Sequence, residues 1–153
     1  MAQFLLIMTL LSIAGLIATS VMGFMASPGH VATHIFFALV TVVVGLFSQS
    51  MTMFFFIGTG KQLKDKVAGT KAEADVRSAT RAMAMKVSPA ATFAMAVLMV
   101  TFITGGGVAS GKIPSWVHLT LVITTVLLYA RAYWIEVHAM AQNARFIEKH
   151  LAD

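Results

Sequence analysis

His34 and His118 are the side chains in this sequence best placed to do chemistry. Each lies about one turn inside an apolar stretch long enough to cross a bilayer. The two stretches run in the same direction, and both histidines sit at the same end of them. An ionisable residue inside a bilayer is costly, so it marks a functional site by default. Two imidazoles at matching depth on separate helices suggest one shared ligand. A neutral imidazole offers a nitrogen lone pair to a metal centre.

The elements that must position this pair follow from composition. The chain has 153 residues, 58% hydrophobic and only 11% charged, with a mean hydropathy of +0.84. A soluble domain carries about 25% charged residues, so this is the composition of a membrane protein. Four apolar stretches reach the roughly 20 residues that a bilayer needs: residues 4–26, 30–57, 89–105 and 114–137. They leave room for one membrane domain, residues 1–153, and no separate soluble one. The expected fold is all-α, a four-transmembrane-helix up-and-down bundle. The first stretch lacks a basic leader, and its apolar run is longer than a signal peptide's, so it reads as a retained span.

Charge sets the expected orientation. The first 60 residues contain no Asp, Glu, Lys or Arg. The long polar loop expected over 60–88 carries Lys61, Lys64, Lys66, Lys71, Arg77, Arg81 and Lys86 against Asp65, Glu73 and Asp75. Basic residues gather on the cytoplasmic side. Segment 60–88 and the tail 138–153, with Arg145 and Lys149, are therefore expected to be cytoplasmic, as are both termini. The net charge of +5 has the same explanation and does not point to nucleic acid. The absence of cysteine excludes disulfides, thiolate nucleophiles, iron–sulfur clusters and c-type haem attachment. The small polytopic character suggests a bacterial plasma (inner) membrane.

Turn chemistry marks the connections. Ser27-Pro28-Gly29 reads as a tight turn, and residues 105–112 (GGGVASGK) as a flexible one. Ser88-Pro89 resembles a helix start, with Pro at the first helical position, and Ile113-Pro114-Ser115 another. Residues 71–87 and 138–151 read as helical extensions. No convincing internal repeat is visible.

Residues at i, i+3, i+4, i+7 and i+11 share a helix face. From His34 that face holds Ala38, Thr41, Gly45, Ser48 and Thr52. From His118 it holds Thr125, Tyr129, Ala132 and Glu136. From Ser12 it holds Gly15, Thr19 and Gly23. Small and polar residues in lipid turn toward neighbouring helices, so these stripes face inward, and for Ser, Thr and Gly the plain reading is packing. His30 reads as a helix-start residue, and His138 and His150 as solvated.

In a square bundle, helices two and four are diagonal, and histidines at equal depth point at each other. Two such imidazoles can ligate a haem iron from both sides. Gly23 on span one and Gly105 or Gly106 on span three lie near that depth, where a missing side chain permits close approach. Lys112 and the Gly-rich turn offer donors for propionates. The layout resembles the four-helix membrane core of the b-type cytochromes. In that family the second and fourth helices supply the haem ligands, and glycines on the first and third make room for the porphyrin. The resemblance rests on His34, His118, Gly23, Gly105 and Gly106 and covers all four spans, without a family motif. It implies a haem b and an electron-transfer role. The family's second ligand pair lies roughly four turns further along, where this chain has Ser48 and Ala132, so the resemblance implies the outer haem alone. A single outer haem cannot carry electrons across the membrane without a partner subunit or a quinone.

Arg131 and Glu136 are five apart, roughly 140° around a helix, so their spacing implies no ion pair. With Tyr133 and Trp134, Arg131 reads as an interfacial anchor. A sharper reading places Glu136, Tyr129 and Gln49 in a proton or quinone site. Other functions stay open. His30 and His34 are i, i+4, a chelating spacing. With His118 they would make a nitrogen metal site, and Met22 and Met25 would suit Cu(I). A cofactor-free accessory or assembly subunit, working beside other membrane subunits or as a homo-oligomer, is a further reading. Transport is disfavoured because no charge lies mid-span. Hydrolysis is disfavoured because no paired carboxylates or Ser/His/Asp set appears.

Overall fold

Four helices carry nearly all of the chain: α1 (Ala2–Phe24), α2 (Val31–Lys66), α3 (Glu73–Ala109) and α4 (Ser115–Leu151). They belong to a computed structural model that describes residues 1–25 and 29–151. The Ser27-Pro28 part of the first turn lies outside the described residues. α1 packs on α2 and α4, and α3 packs on the same two. α2 also meets α4 across one diagonal, whereas α1 and α3 make no contact among the described residues. Short turns between long helices force antiparallel neighbours, so the result is an up-and-down bundle.

All four helices are long and apolar enough to cross a membrane. At 1.5 Å per residue, the 23 residues of α1 span about 35 Å, near the roughly 30 Å of a hydrocarbon core. α2 has 36 residues and α3 and α4 have 37 each, so each runs about 55 Å. The surplus lies at the end holding both termini and the α2–α3 turn. This is the basic end, with Lys64 and Lys66 in the last turn of α2. There Leu63, Val67 and Val76 pack with Phe146 and Ile147 as a three-helix extension. The opposite end, holding the other two turns, is the hairpin end.

The helices correct three expectations. Segment 60–88 is mostly helix, and only residues 67–72 separate α2 from α3. Pro89 does not start a helix but lies inside α3. The helix starts instead at Glu73, with Glu73 and Asp75 in its first turn, where carboxylates favour the positive end of the dipole. Glu73 also accepts a hydrogen bond from the Gly69 N–H at 2.8 Å and pairs with Arg77 at 3.3 Å. Once begun, the helix passes Pro89 at the loss of one backbone bond. The third correction concerns Gly105, Gly106 and Gly107, which are helical. The turn falls later, at Gly111 with φ +71°, a left-handed cap that only glycine adopts cheaply. The Gly111 N–H donates to the Val108 carbonyl at 2.9 Å.

Burial is inverted relative to a soluble bundle. Phe24, Phe36, Phe54, Ile103, Leu127, Trp116 and Trp134 are all exposed, while Thr9, Ser48, Gln49, Thr52, Thr125, Glu136 and Asn143 are at most 1% exposed. Lipid is as apolar as leucine, so helix association in it relies on close packing and interhelical hydrogen bonds instead. The inward stripes are where the periodicity puts them: Thr41, Gly45, Ser48 and Thr52 are buried on α2, and Thr125, Tyr129, Ala132 and Glu136 on α4. Many of the hydroxyls bond the carbonyl four residues back, as Ser12 does to Met8 at 2.8 Å and Thr125 to Leu121 at 2.8 Å.

Packing inside the bundle is close at Gly45, where a Cβ would stand 2.9 Å from Leu98 Cδ2 and 2.9 Å from the Tyr129 hydroxyl. Both neighbours are themselves buried, at 2% and 0% exposure. Gly45→Ala is therefore expected to destabilise the bundle by about 1–3 kcal/mol, the usual cost of overpacking. Thermal unfolding in detergent, followed by helical circular dichroism, measures it.

Candidate functional site

The hairpin end brings each histidine onto a glycine of the preceding helix. A Cβ on Gly23 would stand 3.1 Å from His34 Cε1 and 3.5 Å from Nε2. A Cβ on Gly105 would stand 3.0 Å from His118 Cε1 and 3.5 Å from Nε2. Each imidazole thus lies against backbone that only glycine leaves open. The two rings sit on the diagonal helices α2 and α4, within electrostatic reach of each other. Both residues are half-buried.

Their ring nitrogens differ in what they touch. His118 Nδ1 lies 3.4 Å from the Thr104 hydroxyl, a contact that can orient the ring. His34 Nδ1 is buried without a hydrogen-bond partner. Gly106 faces open space, so of the two adjacent glycines it is Gly105 that meets a histidine. His30 forms the N-cap of α2, and its carbonyl accepts the His34 N–H at 3.1 Å. Among the described residues no three His, Cys, Asp or Glu groups gather as a metal site, so the set His30, His34 and His118 is not assembled. Met25 at the end of α1 is exposed, and so is Lys112 in the α3–α4 turn.

The two hairpins repeat one local pattern, and here the structure corrects the sequence reading. Thr19-x-x-x-Gly23 followed by His34 and Thr41 corresponds to Thr101-x-x-x-Gly105 followed by His118 and Thr125. The glycine-to-histidine separations are 11 and 13 residues (34 − 23 and 118 − 105), so the turns differ in length and the repeat loses register. The remaining positions mostly face outward, where any apolar residue serves, so they carry no likeness. One departure matters: counting back one residue from each glycine, Met22 stands where the second hairpin has Thr104. That leaves His34 without the hydroxyl contact of its counterpart. Below the pair, Thr101 and Thr125 join α3 to α4 through a 2.7 Å hydroxyl–hydroxyl bond.

Further toward the basic end, Ser48 and Ala132 are buried at 0% and 1% exposure. Ser48 Oγ lies 3.0 Å from Thr9 Oγ1. That depth holds a closed polar contact between α1 and α2, with no imidazole. Next to it, Thr9 donates to Glu136 Oε2 at 3.0 Å. Gln49 and Tyr129 are the other polar groups in the electrostatic neighbourhood of this carboxyl. Five buried atoms have no hydrogen-bond partner in this region: Glu136 Oε1, both amide atoms of Gln49, Thr52 Oγ1 and the Tyr129 hydroxyl. One layer nearer the basic end, Asn143 Nδ2 donates to Thr59 Oγ1 at 3.2 Å. Arg131 is not part of this cluster; it lines a surface groove between α3 and α4 with Lys86, Trp134 and His138. Thr9 is the member that sequence reading missed. The signal was present, since Thr9 lies three residues before Ser12 on the same inward stripe.

Fold and site together define an all-α bundle of four helices, each long and apolar enough to cross a membrane, with a glycine-backed histidine pair near one end and a buried carboxyl cluster deeper in. No protein-family model, curated protein or solved structure matches the chain.

Proposed function

We propose that the protein is a membrane electron-transfer subunit that binds one b-type haem between His34 and His118. The observation that carries this reading is the twofold repetition of one arrangement, an imidazole on a diagonal helix laid against a glycine of its neighbour. Packing alone gives no reason for the same histidine–glycine pair at matching positions of both hairpins. The residues fit the group: two imidazoles stand on diagonal helices, each beside backbone that a Cβ would crowd, and His34 carries a buried nitrogen with no partner. His34 and His118 would hold the iron, and Gly23 and Gly105 would keep the imidazoles free to turn toward it. Haem ligated by two histidines supplies reversible one-electron transfer.

The chain's own residues set the surroundings. Thr104 orients one ring. The apolar cluster of Leu16, Val42, Leu98 and Ala94 beneath the Thr101–Thr125 bond keeps water out of the bundle. Under the positive-inside rule, the basic end faces the cytoplasm of a plasma membrane and the haem lies near the outer face. With Ser48 and Ala132 at the deeper level, electrons do not cross on this chain alone, so it works with another membrane subunit or a quinone.

A visible spectrum of the protein purified in detergent from haem-replete cells tests the reading. A Soret band with a sharp α-band on dithionite reduction supports it. A colourless protein overturns it in favour of a cofactor-free accessory subunit.

A further inference from the structure

The carboxyl cluster calls for an account of its own, independent of the histidine pair. Glu136 is 1% exposed, deep in an apolar bundle. Its neighbours bring no positive charge. α1 carries no charged side chain, and α2 carries none before Lys61. On α3, Lys86 faces the outer groove, together with Arg131 and His138 of α4. Tyr129 is the other titratable group of α4 in the carboxyl's neighbourhood. Among the described residues the sole ion pair is Arg77 with Glu73. A bare carboxylate here would have neither water nor a countercharge, an expensive state in a low-dielectric interior.

Hydrogen-bond bookkeeping says what resolves it. Glu136 Oε2 is served by Thr9, while Oε1 and both Gln49 amide atoms lack partners. If the carboxyl is ionised, the Gln49 N–H can turn to it, but Gln49 Oε1 then depends on the unpartnered Thr52 or Tyr129 hydroxyl for a donor, and the charge still has no countercharge. Add one proton on Oε1, and its O–H donates to Gln49 Oε1 while Gln49 Nε2 donates to Glu136 Oε2. Three orphaned atoms close into one acid–amide pair, and the charge is gone. Loading is a carboxylate plus hydronium giving a carboxylic acid plus water. Thr9 fits this state too. Its hydroxyl also lies 3.2 Å from the Leu5 carbonyl, so it can donate there as readily as to a carboxylate.

We propose that Glu136, paired with Gln49 and braced by Thr9, is a proton-binding site buried in the interior of the helix bundle. The proton reaches it from the basic end, the nearer surface. Asn143 lies one layer away, about 10 Å along α4 by helix rise, and bonds Thr59 just before the first lysine of α2.

Infrared spectroscopy of the detergent-solubilised protein at neutral pH tests this with or without haem. The expected result is one carboxylic acid C=O band that shifts on exchange into D2O. It is lost in Glu136→Gln. It moves to higher frequency but persists in Gln49→Ala, where the acid keeps its proton and loses its amide partner. Absence of the band in the wild type overturns the proposal, and so does its survival in Glu136→Gln. A band that disappears when choline chloride is replaced by NaCl also overturns it, assigning the oxygen cluster to a sodium ion instead. Failure of the haem reading leaves these bands unchanged, so the two tests fail separately.

Discussion

Replacing either His34 or His118 with alanine is expected to leave the purified protein without a Soret band, each substitution alone being sufficient. α2 and α4 meet across the bundle diagonal, and each supplies one imidazole at the same depth. A bundle that loses one ring keeps one axial nitrogen and gains a hole of imidazole size on the other side. The remaining ring lies against glycine backbone, and one axial nitrogen holds a porphyrin less firmly than two. The fold itself should survive, because both histidines are half-buried near one end and the principal packing layers lie below them. Helical circular dichroism and monodispersity should therefore match the wild type while the haem-to-protein ratio falls to background. Unequal losses would be informative. If His34→Ala bleaches the protein and His118→Ala does not, the shared-ligand reading fails and a site built on α2 alone takes its place. Wild-type absorbance in both variants removes these residues from the site.

How much of this was legible beforehand depended on which physical constraint spoke through sequence. The bundle was, because four stretches long and apolar enough to cross a bilayer show in composition alone and the inward stripes carry small and polar residues at helical spacing. The register between α1 and α2, or between α3 and α4, was not. It is set by where a glycine lets a neighbouring side chain settle, and nothing in the spacing of Gly23 or Gly105 names His34 or His118 as the partner. The ends of α3 were misjudged for a related reason. Pro89 and Gly105–Gly107 are breakers in water, yet a long apolar helix runs on through all four. Thr9 escaped because a single threonine on an apolar span carries no chemistry by itself; it matters only once Ser48 and Glu136 are seen beside it.

The repeated glycine supplies the second large effect. Gly23→Leu and Gly105→Leu are each expected to abolish haem binding nearly as completely as loss of the histidine behind them. A Cβ at either site would stand 3.0–3.1 Å from imidazole Cε1, inside the roughly 3.5–4.0 Å at which carbon atoms rest. Alanine pushes the ring by a few tenths of an ångström. At the usual overpacking cost of about 1–3 kcal/mol, that weakens haem affinity by about 5- to 150-fold. Leucine adds branched bulk where the imidazole now lies, and the ring must leave its orientation altogether. Gly106→Leu is the internal control. It adds the same side chain one residue away, where nothing lies within 4 Å, and should keep full absorbance. The ordering Gly106 unaffected, alanine at Gly23 or Gly105 weakened, leucine there colourless is specific to a cradle for the rings. General damage to the hairpin end would lower all three leucine variants together. Similar losses at Gly23 and Gly105 would show that both hairpins serve one ligand, because a site formed by one hairpin would be indifferent to the glycine of the other.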